Sequence, residues 1–162
     1  CDAVDVELAN LNCPGQLVIS GVTAGIEKAC ELAKEKGAKR ALPLTVAGAY
    51  HSRLMESAST ELELALREVE LNLPMVPVIS NVTAKPHATA GEILQRLVEQ
   101  VTSSVLWETS IRYLVEQGFT RFIELGPGNA LTGFMRRIDR ELEVYNISDC
   151  ESLEKTVNAL KQ

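Results

Sequence analysis

The sequence has few of the residues that build metal centres and disulfide frameworks. It contains four cysteines and two histidines in 162 residues, with no Cys-x-x-Cys pair and no histidine at metal-ligand spacing. The cysteines are Cys1, Cys13, Cys30 and Cys150. The sequence therefore predicts no metal site and no metal cofactor, and we expect reduced thiols in a cytoplasmic protein. Cys13 is the one candidate for a nucleophilic thiol, and a structural place in the turn that follows it is the alternative.

Long runs of one residue class are also absent. Lysine and arginine occur only in pairs such as Lys39-Arg40, and the net charge is −6, so no basic stretch follows a phosphate backbone. No apolar run reaches the roughly 18 residues that span a bilayer, and the N-terminus lacks the pattern of a signal peptide. We therefore expect neither a nucleic-acid nor a membrane partner. The start at Cys1, without Met, indicates a chain cut from a longer protein.

The composition that remains is that of a folded domain. Apolar residues make up 46% and charged residues 23% of the chain, close to the values of ordinary globular proteins. Only 10 glycines and 6 prolines are present, which excludes collagen-like and low-complexity architectures. One domain of ordinary size, or slightly more, is predicted.

The first part of the chain predicts a β-hairpin followed by a helix. Two β-rich runs, Val4–Leu11 and Gln16–Ser20, flank the turn signal Pro14-Gly15. We expect Thr23 to cap the helix and Gly37 to end it.

A further strand is predicted over residues 41–46. Strand, strand, helix and strand are the last four elements of a ferredoxin-like βαββαβ unit. Residues 1–46 are therefore predicted to form part of a ferredoxin-like small subdomain whose first strand and helix precede Cys1.

Residues 47–162 predict a different layout, in which helical and strand patterns alternate. Helices are expected over residues 54–69, 89–101, 107–118, 131–138 and 152–160. Strands are expected over residues 76–80, 122–125 and 144–147. Such alternation is typical of a mostly parallel sheet covered on both faces. The predicted fold class is α/β, with a three-layer body over 47–162 whose sheet has few strands.

His51 is the residue that position alone favours for catalysis. It lies where a strand-like segment runs into the long helix, and Ser52 is a candidate N-cap. The partial positive charge of a helix N-terminus disfavours imidazolium, so the ring stays neutral and able to accept a proton. A purely structural histidine is the alternative. The other histidine, His87, is expected to be a solvated loop residue. No Gly-x-Ser-x-Gly motif supplies a serine for His51 to activate.

The segment Gly126-Pro127-Gly128-Asn129 lies between a predicted strand and a predicted helix. It has the position of a phosphate cradle at a helix N-terminus, but it lacks the Lys-Ser/Thr ending of a P-loop. A tight turn is the alternative. An anion-binding α/β domain therefore stays open as one function for this chain.

Several separated motifs together resemble a known family. They are Asn10-Leu11-Asn12-Cys13-Pro14-Gly15-Gln16, Lys39-Arg40-Ala41-Leu42-Pro43-Leu44, Gly48-Ala49-Tyr50-His51-Ser52, Val76-Pro77-Val78-Ile79-Ser80-Asn81-Val82, Val105-Leu106-Trp107 and Glu124-Leu125-Gly126-Pro127-Gly128. In this order they resemble the C-terminal half of the malonyl-CoA:acyl-carrier-protein transacylases of bacterial fatty acid synthesis. The resemblance covers nearly the whole chain.

The resemblance implies a serine-histidine acyltransferase with a ping-pong mechanism. Its fold would be an α/β-hydrolase-like large subdomain, here residues 47–162, joined to the ferredoxin-like small subdomain. Malonyl-CoA and the phosphopantetheine thiol of acyl carrier protein would be the substrates, and no cofactor is implied. The nucleophilic serine and the malonate-binding arginine would lie in the N-terminal half, which this sequence does not include. These 162 residues alone are therefore predicted to be inactive, and a carrier-protein-binding module is the alternative.

The resemblance also implies roles for individual residues. His51 matches the catalytic histidine, and Gln100 matches the residue whose main-chain carbonyl orients it. Asn12 and Gln16 match polar positions of the acyl-CoA cleft, and a role in stabilising the hairpin is the alternative. Tyr50 matches an aromatic residue of malonyl-selective members, where methylmalonyl-accepting members tend to have serine. Lys39 and Arg40 match a basic spot that would meet the acidic carrier protein, and an exposed solvated pair is the alternative.

Overall fold

The computed structural model describes residues 4–161. This part of the chain contains four strands and six α-helices, connected by loops and one 3₁₀ turn. The strands are Val6–Cys13 (β1), Gln16–Gly21 (β2), Arg121–Leu125 (β3) and Glu143–Ile147 (β4). The helices are Thr23–Glu35 (α1), Glu56–Arg67 (α2), Ala90–Glu99 (α3), Trp107–Glu116 (α4), Ala130–Ile138 (α5) and Cys150–Leu160 (α6). Cys1 lies outside the described residues. The expected mixed α/β class is confirmed.

The predicted hairpin is confirmed. β1 and β2 pair antiparallel, with Leu11 opposite Leu17 and two irregularities along β1. Gly15 has a φ of 78°, a left-handed conformation that glycine adopts without strain. Helix α1 follows and ends as expected, because Gly37 has a φ of 87°. The expectation that Thr23 caps α1 is wrong, since Val22 is the N-cap and Thr23 is already a helical residue.

The strand expected over residues 41–46 does not form. The segment is irregular, and Leu42, Leu44 and Val46 are 70%, 63% and 62% exposed. A strand needs a hydrogen-bonded neighbour to hold its backbone, and this segment pairs with none of the described residues. The alternating apolar residues Leu42, Leu44 and Val46 therefore have the pattern of a strand, but the segment lacks the neighbour that a strand needs.

The strand expected over residues 76–80 is also wrong. Only one isolated bridge, between Ile79 and Pro86, forms there. Val76 and Val78 are exposed, and the segment pairs with no strand of residues 4–161. The lack of a neighbouring strand is again the physical reason.

The paired strands of the second part are β3 and β4. They are parallel, with Ile123 opposite Tyr145, and α5 lies between them in the chain. Parallel neighbours need such a crossover connection. This β-α-β unit is the part of the expected parallel sheet that the described residues form.

The helix expected over residues 54–69 is shorter than its apolar pattern. A 3₁₀ turn, Arg53–Met55, leads into α2, which ends at Arg67. Helix α2 packs on α3, where the Ser59 hydroxyl donates to the Val98 carbonyl at 3.0 Å. Thr89 caps α3 by accepting from the Glu92 amide at 3.1 Å. Helix α2 follows the segment that carries His51, and the residues just after α3 contact that segment, since the His51 amide donates to the Val101 carbonyl.

Strand β1 is the strand of the hairpin that packs against the helical part of the chain. It contacts α4 and α5, and Asn10 forms a parallel bridge with Val105 just before α4. The buried apolar residues are Val6, Ala9, Cys13, Ala29, Ala84, Ile111 and Met135. The core thus follows β1 and the helix faces packed on it. Within residues 4–161, no helix is both long and apolar enough to cross a bilayer; a cytoplasmic location stays a prediction.

Candidate active site

His51 lies in a tight turn immediately before the 3₁₀ start of the α2 region. Its φ is 59°, a left-handed conformation that is uncommon for a residue with a side chain. Its amide donates to the Val101 carbonyl at 3.2 Å. Such a backbone persists only where neighbouring contacts hold it, and strained residues of this kind cluster at functional sites.

Ser52 holds the turn from the next position. Its side chain is fully buried, and its hydroxyl donates to the Ala49 carbonyl at 2.6 Å. The same oxygen accepts from the Leu54 amide at 3.3 Å. The expected N-cap is therefore confirmed, and it satisfies one of the free amides at the start of the helix.

The imidazole of His51 faces two main-chain carbonyls. Its Nδ1 is 2.9 Å from the oxygen of Gln100 and 3.1 Å from the oxygen of Ser103. Carbonyl oxygens only accept, so Nδ1 carries the proton and donates to both. In the neutral ring this leaves the lone pair on Nε2. The arrangement provides a base whose tautomer and orientation are fixed by the backbone.

The loop that supplies these carbonyls is held by Asn81. The side-chain amide of Asn81 donates to Oε1 of Gln100 at 3.2 Å, and the main-chain carbonyl of Asn81 accepts from the Leu106 amide at 2.9 Å. Gln100 thus offers its main chain to His51 and its side chain to Asn81. Sequence reasoning identified the Gln100 position through the resemblance but missed Ser103, because a main-chain acceptor has no residue-type signal.

Asn12 and Gln16 lie near the turn of the hairpin, Asn12 toward the C-terminal end of β1 and Gln16 at the start of β2. Asn12 is buried at 9% exposure, and Gln16 is half-buried at the start of β2. Oε1 of Gln16 accepts from the Cys13 thiol at 3.7 Å. Within residues 4–161, no hydrogen bond joins Asn12 or Gln16 directly to His51. Cys13 has an amide as its partner and no base, which favours its structural reading.

Tyr50 directly precedes His51 and is half exposed. Its ring lies beside Gly48, where an added Cβ would be 3.7 Å from Cζ of Tyr50. Lys39 and Arg40 lie in the exposed segment after α1, and neither has an ion-pair partner among residues 4–161. Their charges are therefore available to solvent or to a partner.

His87 differs from its expected solvated state. It is half-buried, and its Nδ1 is buried without a hydrogen-bond partner in the described part of the chain. The loop folds back on itself there, since the His87 amide donates to the Val78 carbonyl at 3.2 Å.

The candidate anion cradle after β3 is filled by a side chain of the protein itself. Glu124 accepts from the amides of Leu131 and Thr132 at 3.1 and 2.9 Å and from the Thr132 hydroxyl at 2.6 Å. Desolvation raises the pKa of Glu124, but hydrogen bonds from Thr132, Leu131 and Asn146 lower it by more, so its pKa lies below the ordinary value. A carboxylate already occupies the start of α5, which removes the basis of the anion-site reading.

Metal binding has no support in the described residues. Across residues 4–161 no group of three or more His, Cys, Asp or Glu side chains could hold a metal ion. The three cysteines in this range are free thiols.

Comparisons with known proteins identify relatives with one recurring name. No protein-family model matches the chain. It is 47% identical over 157 residues to the malonyl CoA-acyl carrier protein transacylase of Bacillus subtilis, covering 97% of this chain and 50% of that protein. The transacylase of the same name from Haemophilus influenzae is 38% identical over 147 residues, 91% of this chain and 47% of that protein.

Solved structures agree with the sequence comparison. The acyl-carrier-protein-S-malonyltransferase of Bartonella henselae matches with a TM-score of 0.91 and 37% identity, over 97% of this chain and 50% of that one. A malonyl-transacylase in complex with a type II polyketide acyl-carrier protein matches with a TM-score of 0.93 and 36% identity, over 97% and 51%. The chain therefore spans about half the length of the relatives it matches.

Proposed function

Because this chain belongs to the malonyl CoA-acyl carrier protein transacylase family and matches its C-terminal half, we propose that it supplies the histidine of a malonyl transfer reaction. The donor is malonyl-CoA and the acceptor is the phosphopantetheine thiol of acyl carrier protein. Both are substrates, and the proposal includes no cofactor or metal. The observation that carries it is the His51 imidazole, held with Nδ1 on two carbonyls and the Nε2 lone pair left for a substrate proton.

In the first half-reaction Nε2 of His51 removes the proton of a serine hydroxyl. The serine oxygen attacks the malonyl thioester carbonyl, and the tetrahedral intermediate collapses as the C–S bond breaks. The imidazolium returns its proton to the departing CoA thiolate. The carbonyls of Gln100 and Ser103 stabilise the imidazolium that exists between these two proton transfers, the role that a carboxylate has in a Ser-His-Asp triad.

In the second half-reaction the same imidazole removes the proton of the phosphopantetheine thiol. The thiolate sulfur attacks the malonyl ester, and the C–O bond to serine breaks. His51 then gives the proton back to the serine oxygen. We place the serine in the half of the relatives that this chain does not match.

The polar hairpin and the residue before His51 are proposed to contact the acyl-CoA. Asn12 and Gln16 supply amides at the hairpin end of the cleft, and the Tyr50 ring fills the space that an α-methyl group would need. We describe the cleft as lying between a ferredoxin-like small subdomain, residues 1–46, and an α/β-hydrolase-like large subdomain, residues 47–162. The β1–β2–α1 order and the β3–α5–β4 unit support this description.

Acyl carrier protein is the proposed partner at Lys39 and Arg40. Both are exposed and have no ion-pair partner in the described residues, and a related transacylase has been solved with an acyl-carrier protein. Opposite charge would speed the encounter with an acidic carrier protein.

The second proposed partner is the N-terminal half of the family's proteins, the half that this chain does not match. Leu42, Leu44, Val46, Met75 and Val76 are all more than 60% exposed. Leu42, Leu44 and Val46 are in period-two order, and exposed apolar residues with this spacing favour pairing with further strands. We propose that the other half provides those strands, together with the serine.

The test measures transfer of labelled malonyl from malonyl-CoA to holo-acyl carrier protein. Three samples are compared: the 162-residue chain, a full-length protein that includes it, and the chain mixed with the N-terminal half of the Bacillus subtilis relative. We expect no transfer by the chain alone and transfer by the full-length protein. Transfer by the chain alone would contradict the placement of the serine. No transfer by the full-length protein, with carrier-protein binding retained, would favour a binding module instead.

A further inference from the structure

Arg53, two residues after His51, is bound by the carboxylates at the start of β1. The Arg53 amide donates to Oε2 of Glu7 at 2.7 Å, and its guanidinium donates to Oε1 of the same carboxylate at 2.6 Å. The guanidinium also pairs with Asp5. The hydrogen bonds that the guanidinium donates to Glu7, and then those that it donates to Asp5, raise the pKa of Arg53 above its ordinary value. Both carboxylate oxygens of Glu7 thus accept from Arg53, one from the main-chain amide and one from the guanidinium.

The same strand also holds the loop that faces His51. The Val105 amide donates to the Ala9 carbonyl at 2.8 Å, and the Leu11 amide donates to the Val105 carbonyl at 2.9 Å. The Ser104 hydroxyl donates to the carbonyl of Leu8. Strand β1 therefore holds the donor and the acceptor sides of the His51 hydrogen bonds, the acceptor side through its backbone and the donor side through Glu7.

The contact with the Arg53 amide determines how the helix begins. Arg53 is the first residue after the Ser52 cap, so its amide has no partner inside the helix. The Glu7 carboxylate accepts the hydrogen bond of that amide at the start of the 3₁₀ turn. Since Ser52 accepts from the Leu54 amide, Glu7 and Ser52 together satisfy the first two amides after the Ser52 cap, those of Arg53 and Leu54. These bonds hold the backbone that keeps His51 at its left-handed φ.

We propose that Glu7 is a positioning residue for His51. Acting through Arg53, its carboxylate fixes the turn that aims Nδ1 at the carbonyls of Gln100 and Ser103. The catalytic consequence of this proposal rests on the proposed acyl transfer. Its structural part, the retention of the Nδ1 hydrogen bond, does not.

The experiment uses the full-length protein with Glu7→Ala, Glu7→Leu, Glu7→Gln and Arg53→Ala. Glu143→Ala is the matched control, because Glu143 also joins a strand to an arginine, Arg121, through an exposed pair. Two readouts are taken well below the melting temperature of each variant. One is the downfield NMR signal of the His51 Nδ1 proton, and the other is kcat and KM for malonyl transfer.

For Glu7→Ala we expect loss of the Nδ1 proton signal and a 10- to 100-fold lower kcat with KM for malonyl-CoA within about twofold, since a small misplacement of a catalytic group has an effect of this size. Arg53→Ala retains the main-chain contact and is expected to retain the signal with a smaller fall in kcat. Glu143→Ala should change neither readout.

An unchanged signal and kcat in Glu7→Ala would overturn the proposal. Should that variant fail to fold, Glu7→Leu decides, because it retains the bulk of the side chain and removes both acceptor oxygens. A weakened signal and lower kcat in Glu7→Leu would support the proposal, and wild-type values would overturn it. Glu7→Gln, which retains one acceptor oxygen for the Arg53 amide, is expected to lie between Glu7→Leu and the wild type. A wild-type protein that shows the signal but transfers no malonyl would contradict the proposed function alone, and the NMR comparison would still judge Glu7.

Discussion

Nδ1 of His51 donates to the main-chain carbonyl of Gln100 at 2.9 Å across 49 residues of sequence. The hydrogen-bond partner of the imidazole is therefore a main-chain carbonyl, in the place that a carboxylate side chain has in a Ser-His-Asp triad. Substitution of Gln100 leaves that carbonyl in place, so the hydrogen bond depends on whatever holds the two loops.

Ser52→Ala tests the turn that carries His51. The variant leaves the Ala49 carbonyl without the 2.6 Å donor and the Leu54 amide without its cap. Because the site is buried, we expect unfolding by urea to show a loss of about 1–3 kcal/mol and the Nδ1 proton signal of His51 to weaken. Ser110→Ala is the control, since its hydroxyl bonds within its own helix. An unaltered His51 signal in Ser52→Ala would contradict the account.

Glu124→Gln tests the contact between β3 and α5 through pH. Desolvation raises the pKa of Glu124 and hydrogen bonds from Thr132, Leu131 and Asn146 lower it by more, with a net decrease from 4.5. A depressed folded pKa adds stability above the unfolded value and loses it as pH falls through the folded value. We therefore expect the wild type to unfold at higher urea than Glu124→Gln at pH 7, and the gap to narrow below about pH 4.5.

The control for that experiment is Glu141→Gln, whose carboxylate makes no hydrogen bond or ion pair in the described part of the chain. It should leave the urea midpoint nearly unchanged at both pH values. A gap between wild type and Glu124→Gln that is constant, or wider at pH 3, would show that the charged carboxylate is not what stabilises the start of α5.

Tyr50→Ser tests the proposed selectivity for malonyl over methylmalonyl in the full-length protein. Removing the ring opens space for an α-methyl group, and a methyl-sized difference changes specificity by about 10- to 200-fold. We expect the ratio of kcat/KM for malonyl-CoA to that for methylmalonyl-CoA to decrease by about 10- to 200-fold. Tyr50→Phe retains the ring and should retain the ratio. Equal ratios in the serine and phenylalanine variants would remove Tyr50 from the specificity account.

The double variant Lys39→Glu, Arg40→Glu tests the proposed carrier-protein surface. We expect KM for acyl carrier protein to rise about tenfold at low salt and less at high salt, because charge steering is screened. KM for malonyl-CoA should not change. Lys161→Glu with Lys155→Glu makes the same change of net charge near the other end of the chain and is the control. Equal effects of the two double variants would indicate net charge alone.

Local sequence patterns predicted the elements that are complete within this chain. Pro14-Gly15 between two β-rich runs predicted the hairpin, and Gly37 predicted the end of α1, because turn chemistry depends on neighbouring residues only. The helical pattern from residue 54 predicted the position of α2 but not its end. For this helix, existence was thus better predicted than its boundaries.

The two wrong strands have a common physical cause. Residues 41–46 and 76–80 have the alternation of strands, but a strand forms only against a neighbour. Which neighbour is present is a property of the whole sheet, and it cannot be inferred from six residues. Their exposure in residues 4–161 agrees with the proposal that further strands belong beside them.

The candidate site was predicted only in part for a related reason. His51 was identified by its place before a helix and by the resemblance, while Ser103 acts through its backbone and leaves no side-chain signal. Glu7 and Arg53 are 46 residues apart, and an acidic residue in a strand is ordinarily solvated. Contacts of this kind follow from the fold and have no local motif.

Malonyl transfer from malonyl-CoA to holo-acyl carrier protein by the full-length protein with His51→Ala tests whether His51 is the general base. If His51 is the general base, the rate should fall about 10²- to 10⁴-fold, while His87→Ala, at the only other histidine of this chain, should stay near the wild type. Transfer by His51→Ala within twofold of the wild-type rate would contradict the account.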